Sequence, residues 1–187
     1  MKPKLHIVVC STRPVRVGPA VAQWVLGEAQ AHGQFDAELI DLASFELPVF
    51  DEPEHPRLQK YQHQHTKAWS ASVSAADAFV FVLPEYNFGP PSALVNALQY
   101  LSREWNYKAA GIVSYGGVSG GMRSAQLLKA MLTSYKMVPL LEGVPVINVA
   151  QQLDADKVFQ PNDANSSSAK VMLDELARWT GALKTLR

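Results

Sequence analysis

Short apolar runs alternate along the chain with segments whose apolar residues recur every three or four positions. The runs lie at residues 5–10, 35–42, 78–83, 109–115 and 144–149 and predict five buried strands. The intervening segments predict five helices. The first runs from Pro19 to near Gly33, the second passes through Trp69 and Val73, and the third runs from a Ser92 cap to about Arg103. The fourth lies along 127–132 and the fifth along 171–179, after a polar linker at 160–168. Residues 43–60 contain three prolines and are predicted to be loop. Such alternation indicates a parallel sheet with helices on both faces.

The predicted architecture is therefore α/β, a three-layer sandwich around a five-stranded parallel sheet. Five strands of this size fit the flavodoxin-like order 2-1-3-4-5, in which ligands bind in a crevice at the carboxyl ends of strands one and three. The 187 residues contain no internal repeat and fit a single domain spanning 1–187.

Composition narrows the classes of function. The net charge is +0 with no basic run, which argues against nucleic-acid binding. No apolar stretch reaches the roughly 18 residues of a membrane span, the N-terminal segment does not resemble a signal peptide, and the single cysteine excludes an intramolecular disulfide. These features predict a cytoplasmic enzyme or binding protein. Charged residues make up 18%, against ~25% in average proteins, which favours a buried subunit interface over ordinary variation.

Polar loops follow three of the predicted strands, and the first is suited to phosphate. It offers two hydroxyls, two guanidinium groups and backbone N–H groups at a helix start, on Ser11, Thr12, Arg13, Arg16, Val17 and Gly18. A helix N-terminus attracts phosphate through its free N–H groups and dipole, and arginine adds charge-assisted hydrogen bonds. The alternative is a capped helix with two solvated arginines.

The other two loops are suited to a flat ring. The second reads Pro84-Glu85-Tyr86-Asn87-Phe88-Gly89-Pro90-Pro91, in which three prolines fix the backbone and Tyr86 offers an aromatic wall. The third reads Ser114-Tyr115-Gly116-Gly117-Val118-Ser119-Gly120-Gly121, whose glycines let the backbone approach a ligand closely. The alternatives are a stiffened turn with Tyr86 over the core and a tight strand-to-helix turn. Together the three loops indicate a site for a phosphorylated, flat, aromatic cofactor.

These loops resemble the motifs of the NADPH-dependent FMN reductases, a flavodoxin-like group that includes chromate, quinone and azo reductases. The motif G-S-x-R corresponds to Cys10-Ser11-Thr12-Arg13, P-E-Y-N to Pro84-Glu85-Tyr86-Asn87, and S-x-G-G to Ser114-Tyr115-Gly116-Gly117. The resemblance covers roughly residues 4–150. The chain departs from the family pattern at Cys10, which replaces a glycine, and at Gly89-Pro90-Pro91-Ser92, where relatives read nearer S-x-P-G.

The resemblance implies FMN as the cofactor and NADPH or NADH as co-substrate, with no metal. The phosphate then lies on Ser11, Arg13 and Arg16, with help from backbone at Val17 and Gly18. Residues 84–87 line the ring, Tyr86 and Asn87 position it, and Ser114, Tyr115, Gly116 and Gly117 close its other edge. No side chain is expected to act as a catalytic acid or base.

The implied reaction is a ping-pong cycle. Hydride passes from NAD(P)H to N5 of FMN, and electrons then pass to a quinone, free flavin, azo compound or metal oxyanion. The resemblance also implies a homodimer or homotetramer with the flavin near the interface. Tyr100, Trp105 and Tyr107 are candidates for that interface; their alternative is core.

Other functions fit the residues less well. A non-catalytic flavodoxin-like electron carrier or flavin sensor is the main alternative, although such carriers are usually acidic and this chain is neutral. Cys10-x5-Arg16 resembles the low-molecular-weight phosphatases, whose thiolate is the nucleophile, but Val17 stands where Ser or Thr is expected and no Asp-Pro pair is present.

Two further patterns are weak. The stretch 117–121 matches the hydrolase elbow G-x-S-x-G, but all five histidines precede Ser119, whereas such hydrolases place the catalytic histidine after the serine. His63-x-His65 is not expected to share a metal ion, because positions i and i+2 of a helix face apart.

Overall fold

A computed structural model describes all 187 residues and contains one parallel sheet with five α-helices. The strands are β1 Lys4–Val9, β2 Asp36–Asp41, β3 Ala78–Pro84, β4 Ala109–Tyr115 and β5 Val138–Val146. The helices are α1 Gly18–His32, α2 Gln64–Ala75, α3 Ser92–Gln99, α4 Met122–Ser134 and α5 Asp163–Leu183. The sheet order is β2-β1-β3-β4-β5 and every neighbouring pair is parallel. The predicted fold class and strand order are confirmed.

Helices cover both faces of the sheet. The central strands β3 and β4 are buried at every position, as expected for strands packed on two sides. One apolar layer joins the sheet to α1 and α5 through residues such as Val25 and Met172. The other joins it to α2, α3 and α4 through Trp69, Leu98 and Leu128. This arrangement places the loops after β1, β3 and β4 side by side at one edge of the sheet.

The predicted boundaries of the last strand and the last helix are wrong. β5 begins at Val138, because an edge strand tolerates the prolines at 139 and 145 that interrupt its apolar pattern. The segment 160–168 is not a linker, because Asn162 and Asn165 form a reciprocal capping box that starts α5 at Asp163. None of the helices, including this one of 21 residues, combines the length and apolarity needed to cross a bilayer.

The helix α3 is shorter than predicted and is not capped by Ser92. Pro91 occupies the N-cap without a side-chain hydrogen bond, and Ser92 is the first helical residue. The helix ends at Gln99 rather than near Arg103. The Ser102 N–H donates to the Glu104 carboxylate at 3.2 Å instead of continuing the helix, and residues 103–105 form a separate 3₁₀ turn.

Two of the three aromatic residues predicted for a subunit interface belong to the core. Tyr100 and Trp105 are both completely buried. The Trp105 ring lies 5.2 Å from Phe79 and 5.8 Å from Trp69, so it packs inside the α2–α3 layer. Of the two alternatives for Tyr100 and Trp105, the core is therefore confirmed and the interface is wrong, while Tyr107 is half-buried.

A buried histidine makes stability depend on pH. Burial lowers the pKa of His6 below 6.5, against the opposing charge of Glu38 3.7 Å away. As pH falls, His6 is therefore protonated at a higher pH in the unfolded chain than in the folded one. The free energy of unfolding consequently falls as pH drops below about 6.5. We expect wild type to lose more stability than His6→Gln between pH 7.5 and 5.5 in urea titrations. Equal losses in the two proteins would contradict the assignment.

Candidate functional site

The three predicted loops lie side by side at the carboxyl ends of β1, β3 and β4. β1, β3 and β4 are neighbours, and the strand order reverses between β1 and β3, where ligands bind in open α/β sheets. The Glu85 N–H donates to the Tyr115 carbonyl at 3.1 Å, and the Tyr115 hydroxyl donates to Ser11 Oγ at 3.2 Å. All three loops are thus connected to one another.

The loop after β1 presents a run of unpaired backbone N–H groups. None of the following donates a hydrogen bond within the chain: Ser11, Thr12, Arg13, Val15, Arg16, Val17 and Gly18. The last of them opens α1, so the helix dipole points toward the same place. Consecutive free N–H groups at a helix start form an anion-binding site.

Gly18 lets this loop pack closely onto β1 and β4. A Cβ at this position would lie 2.4 Å from Ser11 Oγ and 2.8 Å from the Tyr115 hydroxyl. Ser11 is completely buried beneath the loop. Burial raises the pKa of the Tyr115 phenol above its usual value, so the hydroxyl stays protonated and donates to Ser11. These two buried side chains lie beneath Gly18 and support the loop.

The two arginines of the first loop differ in their partners. The Arg16 guanidinium pairs with the Asp41 carboxylate and donates to the Ser11 carbonyl. It therefore ties the loop to the end of β2. Arg13 is exposed and makes no hydrogen bond or ion pair, so it is the arginine free to reach a bound anion. Asp41 was not predicted as part of the site, because in the sequence it is only an acidic residue at the end of a strand.

The second loop contains a tight turn at residues 86–89. Tyr86 and Gly89 exchange two backbone hydrogen bonds of 2.9 Å. Asn87 and Phe88 between them have φ of 47° and 71°, the left-handed conformation of a type I′ turn. Tyr86 is 37% exposed, so it projects from the turn and does not pack over the core.

A residue outside the predicted site holds this turn. The Glu85 carboxylate is 7% exposed and pairs with Arg123 in the first turn of α4, with N–O distances of 2.6 and 2.7 Å. The Arg123 guanidinium lies 4.0 Å from the centre of the Phe88 ring. Burial by itself raises the pKa of Glu85, but hydrogen bonds from Arg123 and Ser119 and the Arg123 charge bring it below its usual value. In the sequence, the one feature that could have indicated this contact is the cationic residue Arg123, two positions after the glycine-rich loop.

The third loop depends on its last glycine. Gly121 has φ of 78°, and a Cβ there would lie 2.7 Å from the Tyr115 backbone nitrogen. The Ser114 hydroxyl is buried and donates to the Gly120 carbonyl at 2.8 Å, so it stabilises the loop internally. Gly117 has open space around it, and its N–H donates to no acceptor in the chain.

The structure does not support the phosphatase or hydrolase interpretations. The Cys10 thiol is completely buried and donates to the Val8 carbonyl at 3.3 Å. Burial raises the pKa of that thiol far above its usual range, which leaves no thiolate to act as nucleophile. Ser119 has Gly121 and Glu85 as hydrogen-bond partners and no histidine.

The expectation that His63 and His65 face apart is wrong. His63 is the N-cap of α2 with extended backbone, so helical spacing does not apply to it. The two rings stack with centroids 5.2 Å apart. Both face Asp51, at 3.9 Å from His63 and 3.1 Å from His65.

An open parallel sheet in the order 2-1-3-4-5, with a run of unpaired N–H groups after β1 and a tight turn after β3, defines a flavodoxin-like protein with a candidate anion site at the edge of its sheet. The model of the NADPH-dependent FMN reductase family matches residues 3–152, which include all three loops. The chain belongs to that family.

Individual proteins agree with this assignment. An NAD(P)H-dependent FMN reductase of Schizosaccharomyces pombe is 43% identical over 127 residues, which cover 67% of this chain and 64% of that one. An NADPH azoreductase of a Bacillus strain is 36% identical over 146 residues, covering 78% and 75%. Among solved structures, the flavoenzyme NAD(P)H:(acceptor) oxidoreductase of Paracoccus denitrificans superposes with a TM-score of 0.75 at 18% identity, covering 96% and 98% of the two chains. The chain thus spans just under two thirds of the S. pombe relative.

The residues present fit FMN. A phosphate group needs several hydrogen-bond donors, and the first loop offers seven unpaired N–H groups with Arg13 beside them. A flat ring needs rigid backbone on its edges, and the 86–89 turn and the glycine-rich loop provide it on neighbouring strand ends.

Proposed function

We propose that this protein passes electrons from NAD(P)H through FMN to a small acceptor, namely a quinone, free flavin, azo compound or metal oxyanion. The observation that carries the proposal is the run of unpaired N–H groups from Ser11 to Gly18 beside two rigid loops. The azoreductase relative supports a flat aromatic acceptor, since an exposed ring system meets such acceptors by stacking.

The chain's own residues bind and orient the reactants. The N–H groups of the first loop and Arg13 hold the phosphate, while the backbone of residues 84–87 and 114–117 flanks the ring. Bound FMN supplies the hydride acceptor and, in the second half of the cycle, the electron donor. The Gly117 N–H, which donates to no acceptor in the chain, stabilises negative charge at the ring edge. Tyr86 and Asn87 are exposed on the turn and position the ring.

No side chain is assigned as a proton donor or acceptor. Each candidate group is already hydrogen-bonded within the chain. The Glu85 carboxylate accepts from Arg123, the Tyr115 hydroxyl donates to Ser11, and the Ser114 hydroxyl donates to the Gly120 carbonyl. The protein therefore contributes by positioning the reactants and by stabilising charge, because in hydride transfer the cofactor performs the chemistry.

Assembly as a homodimer or homotetramer in the cytoplasm is part of the same proposal. Phe88 and Leu127 are 64% and 52% exposed beside the crevice. A Cβ on Gly89, the residue after Phe88, would lie 4.0 Å from Leu127, so both exposed apolar side chains border the same turn and are suited to contact with a second copy of the chain.

Arg13→Ala is expected to weaken FMN binding about 10- to 100-fold, because a charge-assisted hydrogen bond of about 1.5–3 kcal/mol is lost. The dissociation constant is measured by quenching of FMN fluorescence. The control is Arg178→Ala, which removes an exposed arginine paired with Glu175 on α5 and should leave FMN affinity unchanged. Equal affinity in wild type and Arg13→Ala would refute the assignment of the first loop.

The function is tested by FMN-dependent oxidation of NADPH with a soluble benzoquinone as acceptor. Turnover that requires both FMN and quinone supports the proposal. Tight FMN binding without NADPH oxidation would instead identify the non-catalytic carrier or sensor.

A further inference from the structure

Arg123 connects the second and third loops although it belongs to neither motif. Its side chain donates to Glu85 Oε1 at 2.7 Å, and its backbone N–H donates to Glu85 Oε2 at 3.1 Å. Glu85 belongs to the β3 loop, whereas Arg123 follows the glycine-rich loop by two residues. Removing the cation would leave a carboxylate that is 7% exposed without its charged partner, and an unpaired buried charge is strongly unfavourable.

The same guanidinium supports a strained part of the backbone. Phe88 has φ of 71°, and a bulky residue in the left-handed region is uncommon and unfavourable. Its ring is 64% exposed, so the core does not hold it in place. The guanidinium lies 4.0 Å above this ring and offers a flat face for stacking. The turn is otherwise closed only by the two hydrogen bonds between Tyr86 and Gly89.

We propose that Arg123 is a positioning residue of the flavin site, which holds the 86–89 turn against the glycine-rich loop through Glu85 and Phe88. The inference rests on the proposed function, because it takes the turn to flank the flavin ring. Tyr86 and Asn87 lie in that turn, so their placement against the ring depends on Arg123. A lysine cannot replace it fully, because an ammonium has neither the two-pronged geometry nor the planar face.

The test compares Arg123→Met and Arg123→Lys with wild type, using FMN dissociation constants and the visible circular dichroism of bound FMN. We expect Arg123→Met to bind FMN about tenfold more weakly, the lower end of the roughly 10- to 100-fold cost of removing a group that orients a metal ligand, and to change the circular dichroism bands. Arg123→Lys should recover part of the affinity but not the wild-type spectrum. Arg178→Met is the matched control, since it also removes an arginine paired with a glutamate, and it should change neither reading.

Glu85→Gln provides a second variant if Arg123→Met does not fold, and it should shift the spectrum in the same direction. Wild-type affinity and spectrum in folded Arg123→Met would overturn the inference, even if the thermal midpoint falls, because the residue would then be merely structural. Failure of wild type itself to bind FMN would refute the proposed function instead.

Discussion

Replacing Gly121 by alanine is expected to lower the free energy of unfolding by about 3 kcal/mol and to abolish FMN binding. The added methyl would lie 2.7 and 2.8 Å from the backbone nitrogen and oxygen of Tyr115. Backbone atoms of a central strand cannot move aside, and φ of 78° is itself unfavourable for alanine. The glycine-rich loop must therefore change its path, and Tyr115, which supports Ser11, moves with it.

The measurement is urea unfolding together with FMN titration of the folded protein. Gly117→Ala is the matched control in the same loop, because a Cβ there meets nothing within 4 Å. We expect it to fold with nearly wild-type stability. If both variants lose the same stability, the cost arises from glycine replacement in general and the close contact at Gly121 is not its cause.

Gly18→Ala is expected to reduce FMN affinity about 100-fold or more and to cost about 2 kcal/mol of stability. Its methyl would meet Ser11 Oγ at 2.4 Å, the Tyr115 hydroxyl at 2.8 Å and Val9 at 3.2 Å. These side-chain ends are buried beneath the loop, so the added methyl displaces either them or the loop, and with the loop the N–H groups proposed to bind phosphate. We therefore expect a larger loss in the free energy of FMN binding than in the free energy of unfolding.

Gly27→Ala in the same helix serves as the control. Nothing lies within 4 Å of a Cβ at this exposed position, so alanine should stabilise the helix by about 0.5–1 kcal/mol and leave FMN affinity unchanged. FMN binding by Gly18→Ala as tight as that of wild type would show that the first loop does not hold the phosphate.

The sheet order and the place of the site follow from local patterns in the sequence. The runs at 78–83 and 109–115 are predominantly apolar because both faces of these strands are covered, and such runs indicate parallel strands without knowledge of tertiary contacts. The motif loops follow these runs directly, so topology alone brings them together.

Partners far apart in sequence were not predictable in this way. Arg16 and Asp41 are 25 residues apart, and Glu85 and Arg123 are 38 apart. No periodicity marks such pairs, so Arg16 was assigned to phosphate although its guanidinium is engaged by Asp41. Two helix boundaries predicted from the apolar pattern were wrong because local hydrogen bonds determine them. The Asn162 capping box sets the start of α5, and the Ser102–Glu104 hydrogen bond follows the end of α3.

The most direct test of the account is the visible spectrum of the purified protein, reconstituted with FMN and then mixed with NADPH in the absence of oxygen. The account predicts that FMN stays with the protein after gel filtration and that its visible absorbance bleaches promptly on addition of NADPH. Failure to retain FMN, or a bound flavin that NADPH leaves oxidised, would contradict it.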